Sequence, residues 1–108
     1  MSWRTAEEAI QTAQKAIGIT CPEWDIQSHQ MHDGHFVFTA NRGSWSIRPI
    51  SIDTVGVIEY RAALSLDQTI YSRYGTTVHG AMRRAVEEAD RHLQELTAEL
   101  QSAKKEIP

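Results

Sequence analysis

The chain has 108 residues, of which 41% are hydrophobic and 23% are charged, and its net charge is −3 with histidine neutral. This length and composition are typical of one globular domain and exclude a disordered or fibrous chain. No apolar run is long enough to cross a bilayer, the N-terminal stretch has acids where an export signal is apolar, and a single cysteine allows no intrachain disulfide, so we expect a cytoplasmic protein.

The charges are spread along the chain and form no basic block, which argues against a typical nucleic-acid-binding protein. Between residues 21 and 75 every cation is an arginine: Arg42, Arg48, Arg61 and Arg73. A guanidinium group binds carboxylates and phosphates through two parallel N–H groups. These side chains are therefore candidates for contact with an anionic partner.

The first predicted element is a helix over residues 5–17. Thr5 is a suitable N-cap, two glutamates occupy the first turn, and Gly18 stands where glycine commonly ends a helix. The apolar residues form one stripe, which consists of Ala6, Ala9, Ile10, Ala13 and Ile17. Because three of these five are alanine, we expect the helix to lie close against the surface it covers.

From Trp24 onward the hydrophobic period changes to two, which is typical of β-strands. The pattern predicts strands at residues 24–31, 35–40 and 45–52, and a fourth at 57–66 that is also compatible with a short helix. Pro49 cannot donate to a strand ladder, so we expect the third strand to lie at an edge of the sheet or to break at this residue. Residues 67–75 are expected to be irregular.

The last segment predicts a long helix that begins after Thr76 or Thr77 and runs to about Lys104. Its apolar residues recur at alternating spacings of four and three, the heptad pattern of coiled coils. They are Met82, Val86, Ala89, Leu93, Leu96, Leu100 and Ala103.

The order of elements predicts an α+β fold in one domain spanning residues 1–108, with a helix, an antiparallel sheet of three to four strands and a long C-terminal helix (α-β-β-β-β-α). At about 1.5 Å per residue, the last helix is longer than an eight-residue strand, so its C-terminal turns should extend past the sheet. Leu93, Leu96 and Leu100 are therefore candidates for self-association as a homodimer.

The stretch SHQMHDGHF, residues 28–36, carries three histidines around an Asp-Gly pair. A three-residue turn at 32–34 keeps one face of the hairpin apolar and leaves His29 and His35 on the other face, whereas a two-residue turn mixes the two sets. Zinc needs three or four converging ligands, and His32 would lie at the tip. We therefore predict a polar hairpin without metal or other cofactor; a metal site and a pH-sensitive contact surface are the alternatives.

The uncovered face of the predicted sheet is polar and cationic. Its candidate binding residues are His29, His35, Arg48, Glu59 and Arg61, together with Arg42 in the predicted turn at 41–43. Cys21 has no recognisable catalytic surroundings, the aspartates fall in or next to turns or opposite arginines, and the chain has no glycine-rich phosphate loop. We predict a non-enzymatic protein that binds a protein partner or protein complex through this face.

The start of the last helix is a second candidate site, because its free backbone N–H groups favour an anion. The residues there are Arg73, His79, Arg83 and Arg84. An alternative is that Arg83 and Arg84 form ion pairs with Glu87 and Glu88, one turn later. The order helix, strand meander, helix, with cations opening the last helix, resembles double-stranded RNA-binding domains. This resemblance implies a nucleic-acid-binding regulator as the alternative function.

The outline of the whole chain is a short acidic domain with helices flanking an antiparallel sheet and no catalytic motif. In this outline it is similar to small phage-encoded inhibitors of bacterial defence, such as anti-CRISPR proteins. The resemblance implies a bacterial or phage protein that inhibits a nucleic-acid-handling complex by binding to it. It assigns no functional residue.

Overall fold

The computed structural model describes residues 2–18 and 23–107. The elements in chain order are α1 (Ala6–Ile17), β1 (Asp25–Gln30), β2 (Phe36–Arg42), β3 (Trp45–Ile52), β4 (Ile58–Leu66), β5 (Thr69–Gly75) and α2 (Val78–Lys105). The strands form one antiparallel meander in the order β1-β2-β3-β4-β5. The predicted α+β class with a helix before and after the sheet is confirmed; within the described residues the sheet has five strands, where three to four were expected.

Both helices begin at the capping residues that the sequence indicated. The hydroxyl of Thr5 accepts from the backbone N–H of Glu8, and that of Thr77 accepts from the N–H of Gly80. α1 ends at Gly18, whose N–H donates to a carbonyl of the last turn. The side-chain oxygens satisfy N–H groups that the first turns leave without helical partners.

The first hairpin has the predicted register. Ile26 lies opposite Ala40 and Ser28 opposite Phe38, which corresponds to the three-residue turn at 32–34. The N–H of Met31 donates to the carbonyl of residue 35 across the start of this turn, at 2.7 Å. Ile26, Phe36 and Phe38 therefore share the face of Ala40, whereas His29, Val37 and Thr39 lie on the other face.

β5 is the main departure from the prediction, because residues 67–75 were expected to be irregular. This strand pairs with β4 along its whole length. Asp67 and Gln68 join the two strands, and both have positive φ, 46° and 68°. Two-residue turns of this kind usually contain glycine. The usual sequence signal of a hairpin was therefore missing.

β3 lies at the centre of the sheet and not at an edge, which was one of the two expected alternatives. The expected break at Pro49 is present, because the β3–β4 register shifts between Pro49 and Ser51. The β2–β3 ladder ends even earlier, at the pair of Ala40 and Ile47. Proline has no N–H to donate, so a regular ladder on both sides of β3 cannot continue through it. The sheet consequently opens between β2 and β3.

The N-terminal segment occupies part of this opening. Trp3 and Phe36 exchange two backbone hydrogen bonds of 2.7 Å. Since β1 pairs with the other side of β2, Trp3 lies on the side of β2 that faces β3. Its indole packs against Phe38, with ring centroids 5.5 Å apart.

One face of the sheet is covered, by α1 over β1 and β2 and by α2 over β4 and β5. The buried hydrophobic core of the described residues consists of Ala9, Ala13, Phe38, Ala40, Ile47, Tyr60, Ala62, Leu64, Tyr71, Val78, Ala81, Ala85 and Ala89. Seven of these thirteen are alanine, so both helices lie close to the strands. No buried charged or polar side chain occurs in the ranges that the structure describes. In those same ranges, neither helix has an apolar stretch sufficient to traverse a bilayer.

Candidate functional site

The uncovered face is the side of the sheet that carries neither helix. Strand alternation places five of the six predicted binding residues on it, namely His29, His35, Arg48, Glu59 and Arg61. Arg42 is the exception and corrects the prediction. It lies two residues after the buried Ala40 on the same strand, so both side chains are on the helix-bearing side of the sheet. There the guanidinium of Arg42 is 3.7 Å from the carboxylate of Glu23.

Two arginines oppose each other across neighbouring strands on the uncovered face. Arg48 and Arg61 are direct partners across β3 and β4. The Nε of Arg61 donates to the hydroxyl of Ser72 at 3.0 Å. Among the described residues, no carboxylate forms an ion pair with either guanidinium. Like charges directly opposite each other repel in an antiparallel pair. An external carboxylate or phosphate would relieve this repulsion.

A groove lies beside Arg48, where the sheet opens between β2 and β3. Its volume is about 330 Å³, and Met31, Val37 and Ile50 supply apolar side chains to its lining. Thr39 also lines the groove and is hydrogen-bonded to the Nε2 of His29 at 3.0 Å. A cationic pair therefore adjoins an apolar depression on the same face.

The histidines of the first hairpin do not converge. His29 bonds to Thr39, whereas the Nδ1 of His35 bonds to the hydroxyl of Ser2 at 3.0 Å. His32 is exposed in the turn. In residues 2–18 and 23–107, no group of three His, Cys, Asp or Glu side chains could hold a metal ion. Cys21, for which the sequence indicated no catalytic surroundings, lies outside the described residues.

The four residues of the second predicted site lie on two sides of α2. Arg73 and Arg84 are on the side of β5, where both line one cleft. His79 and Arg83 line a separate groove of about 340 Å³ beside Trp45. The structure therefore does not bring the four together into one anion site.

Two of these cations already have partners within the molecule. Arg73 forms an ion pair with Glu88 at 2.8 Å, and Arg84 donates to the carbonyl of Tyr74 at 2.8 Å. The alternative interpretation, ion pairs of Arg83 and Arg84 with Glu87 and Glu88, is not found among the described residues, and the carboxylate of Glu88 pairs with Arg73 and Arg91 instead. The reason is the fifth strand, which brings Arg73 under α2.

The sequence did not indicate a polar cluster that joins β5 to α2. The hydroxyl of Tyr71 is hydrogen-bonded to the Nδ1 of His92, and Glu88 bridges Arg73 and Arg91. These side chains line a cleft of about 600 Å³. Its charged groups are largely paired with one another, so the cluster attaches α2 to the edge strand. The spacing of Glu88, Arg91 and His92 on one helix side was visible in the sequence, but their partners on β5 were not.

α2 leaves the sheet near His92. Its buried residues are Val78, Ala81, Ala85 and Ala89, and every residue from 93 to 107 is exposed. The molecule consequently measures 65 Å along its long axis against 29 and 28 Å across. The predicted association residues Leu93, Leu96 and Leu100 expose 51%, 46% and 56% of their surface.

No protein-family model matches this chain, and no curated protein or solved structure is significantly similar to it.

Proposed function

We propose that this protein acts by binding a protein partner through the uncovered face, with Arg48 and Arg61 holding carboxylates of that partner. The observation that carries the proposal is the direct opposition of two arginines across β3 and β4, neither of which forms an ion pair among the described residues. A carboxylate placed between them would form charge-assisted hydrogen bonds to both. Such an arrangement replaces a repulsive contact with two attractive ones.

The surroundings of the arginine pair support a protein as the partner. The adjacent groove with Met31, Val37 and Ile50 can accept an apolar side chain, and Tyr74 is half exposed next to Arg61. Arginine, tyrosine and methionine are enriched at protein interfaces, whereas lysine is depleted. The three lysines of the chain, Lys15, Lys104 and Lys105, all lie on the helices.

In its finer form, the proposal is that binding inhibits a nucleic-acid-handling defence complex of bacteria, as the likeness to small phage-encoded inhibitors implies. An arginine-bearing surface that occupies a charged site on such a complex competes with the natural ligand of that site. The nucleic-acid alternative has less support, because its four cations lie on two sides of α2 and two of them are engaged internally.

The test is capture of a partner from nuclease-treated bacterial extract by the immobilised protein. The variant Arg48→Glu, Arg61→Glu reverses the charge of the uncovered face. The control Arg4→Glu, Arg83→Glu makes the same charge change at exposed positions off that face. We expect one protein or complex to be retained by the wild type and the control and to be lost with the first variant. Circular dichroism of both variants checks that they remain folded.

Two results would contradict the proposal. Equal retention by the Arg48→Glu, Arg61→Glu variant would show that the uncovered face is not the binding site. Capture that disappears on nuclease treatment and on substitution of Arg83 would identify nucleic acid as the ligand instead. The inhibitory form is tested separately, by adding the captured complex's nucleic-acid substrate and measuring its cleavage with and without this protein.

A further inference from the structure

We infer that a second copy of this chain packs antiparallel against the part of α2 that extends past the sheet. This part, residues 93–105, is called the α2 extension. Its apolar side chains Leu93, Leu96 and Leu100 are all about half exposed and follow the heptad spacing. The proposal is independent of the function proposed for Arg48 and Arg61.

The leucines of the extension point to the same side of α2 as the sheet does. Leu96 follows Ala89 by seven residues, or two helical turns, and Ala89 is buried against Leu64 and Tyr71. The extension therefore overhangs an empty space beyond the end of the sheet. At about 1.5 Å per residue it is about 20 Å long. The extension continues a helix that the sheet already holds, and its half-exposed leucines form an apolar stripe that a partner would remove from water.

The position of the sheet selects the antiparallel orientation. In a parallel pair, both sheets would need the same space between the two helices, because each sheet lies on the leucine side of its own helix. In an antiparallel pair, the two sheets lie at opposite ends, and each extension fills the space beneath the other. The space beside each α2 extension is as long as the extension itself. The extension of a second copy therefore has the length needed to fill it. A second copy satisfies this requirement through a two-fold axis.

When the two-fold axis passes the helices at the level of Ala98, each apolar side chain of one extension lies beside an apolar side chain of the other. Leu96 of one copy lies beside Leu100 of the other, and Leu93 lies beside Ala103. The stretch nearest the sheet is acidic, with Asp90 at its border, and the tip carries Lys104 and Lys105. The antiparallel arrangement brings Lys104 of one copy beside Asp90 of the other, twice by symmetry.

The same arrangement places one like-charged pair at the axis, where Glu99 meets Glu99 of the second copy. Glu99→Gln should therefore strengthen association. Asp90→Lys should weaken it, and the double variant Asp90→Lys, Lys104→Asp should restore it. Restoration by the exchanged pair distinguishes direct contact between these side chains from a general effect of net charge.

The first measurement is the mass of the purified protein by analytical ultracentrifugation over a wide range of concentrations. We expect a reversible dimer, whose dissociation constant rises roughly 100-fold in Leu96→Glu. Gln94→Glu and Gln101→Glu add the same charge to exposed positions on the far side of the extension and should leave the dimer unchanged. A chain that stays monomeric at all concentrations, or a dimer that Leu96→Glu does not weaken, would overturn the inference.

Orientation is measured by disulfide cross-linking in a Cys21→Ser background. In the antiparallel pair, the cysteine of Glu99→Cys lies beside the same cysteine of the second copy at the two-fold axis. The two should cross-link on oxidation. In a parallel pair, the cysteine of Ala103→Cys would face the cysteine at position 103 of the second copy. An antiparallel pair holds these two thiols apart. A dimer that cross-links through residue 103 and not through residue 99 would overturn the antiparallel arrangement.

Discussion

The close seating of α2 on the sheet can be tested by enlarging Ala85. This residue has no exposed surface and packs in a cluster with Leu64, Tyr71 and Ala89. The substitution Ala85→Leu adds three carbon atoms at a contact where the structure has no solvent-accessible space. The added atoms force α2 away from β4 and β5, or force neighbouring side chains out of their preferred rotamers.

The expected loss is at the upper end of the range for overpacking, about 3 kcal/mol of the free energy of unfolding. The difference in helix propensity between alanine and leucine is much smaller than this, a few tenths of a kcal/mol or less. Domains of this size have total stabilities of about 5–15 kcal/mol, so the variant loses a large fraction of its stability. The corresponding drop in Tm is roughly 10–20 °C.

The assay is urea denaturation followed by circular dichroism, in the Leu96→Glu background so that self-association does not contribute. Val86→Leu is the matched control, because Val86 is adjacent in sequence but half exposed. For Val86→Leu, the free energy of unfolding should change by no more than about 0.5 kcal/mol. A midpoint for Ala85→Leu equal to that of the control would refute the argument that alanines hold α2 close to the sheet.

Three further predictions concern other parts of the fold. Gly75→Ala should lower the free energy of unfolding by about 1–2 kcal/mol in urea denaturation, because the new Cβ would lie 3.0 Å from the backbone nitrogen of Ala81, and an unchanged midpoint would contradict this close approach. Gln68→Gly should raise the free energy of unfolding by about 1 kcal/mol in the same assay, because residue 68 has a φ of 68°, a conformation that glycine adopts without strain. A loss of stability would argue against the left-handed turn. Burial raises the pKa of the Tyr60 phenol above its ordinary value of 10.0, so the folded state favours the protonated form and stability should fall as the pH rises above that value. Tyr60→Phe should reduce this alkaline loss, and urea denaturation at neutral and alkaline pH would show whether the wild type and the variant differ.

Local chemistry determined the helix boundaries and the first hairpin. Thr5, Thr77 and Gly18 are capping residues whose side chains or backbone freedom act on the nearest turn alone. The turn at 32–34 set the register of β1 and β2, because only that register keeps one face of the hairpin apolar. Interactions of this range are visible in sequence, and the α+β class followed from them.

The relation between distant strands decided the candidate site. Alternation alone placed Arg48 and Arg61 on the uncovered face, but their direct opposition depends on the β3–β4 register. Among the described residues, neither arginine forms an ion pair with an acid. Arg42 lies on the covered side because β2 continues two residues past its predicted end at residue 40. Alternation along the strand then puts the side chain of Arg42 on the same face as that of Ala40. A turn assignment contains no such information.

The tertiary structure also decided which row of α2 the domain uses. The heptad pattern predicted one apolar seam from Met82 to Ala103. The sheet buries Ala89 of that seam together with Val78, Ala81 and Ala85, and it leaves Val86, Leu93 and Leu96 about half exposed. Alanines in a helix carry no distinctive signal, because the same residues fit an exposed surface or a close contact equally well. Only the position of the five-stranded sheet assigns the alanines to the interior. That same position leaves the leucines beyond its end exposed to a partner.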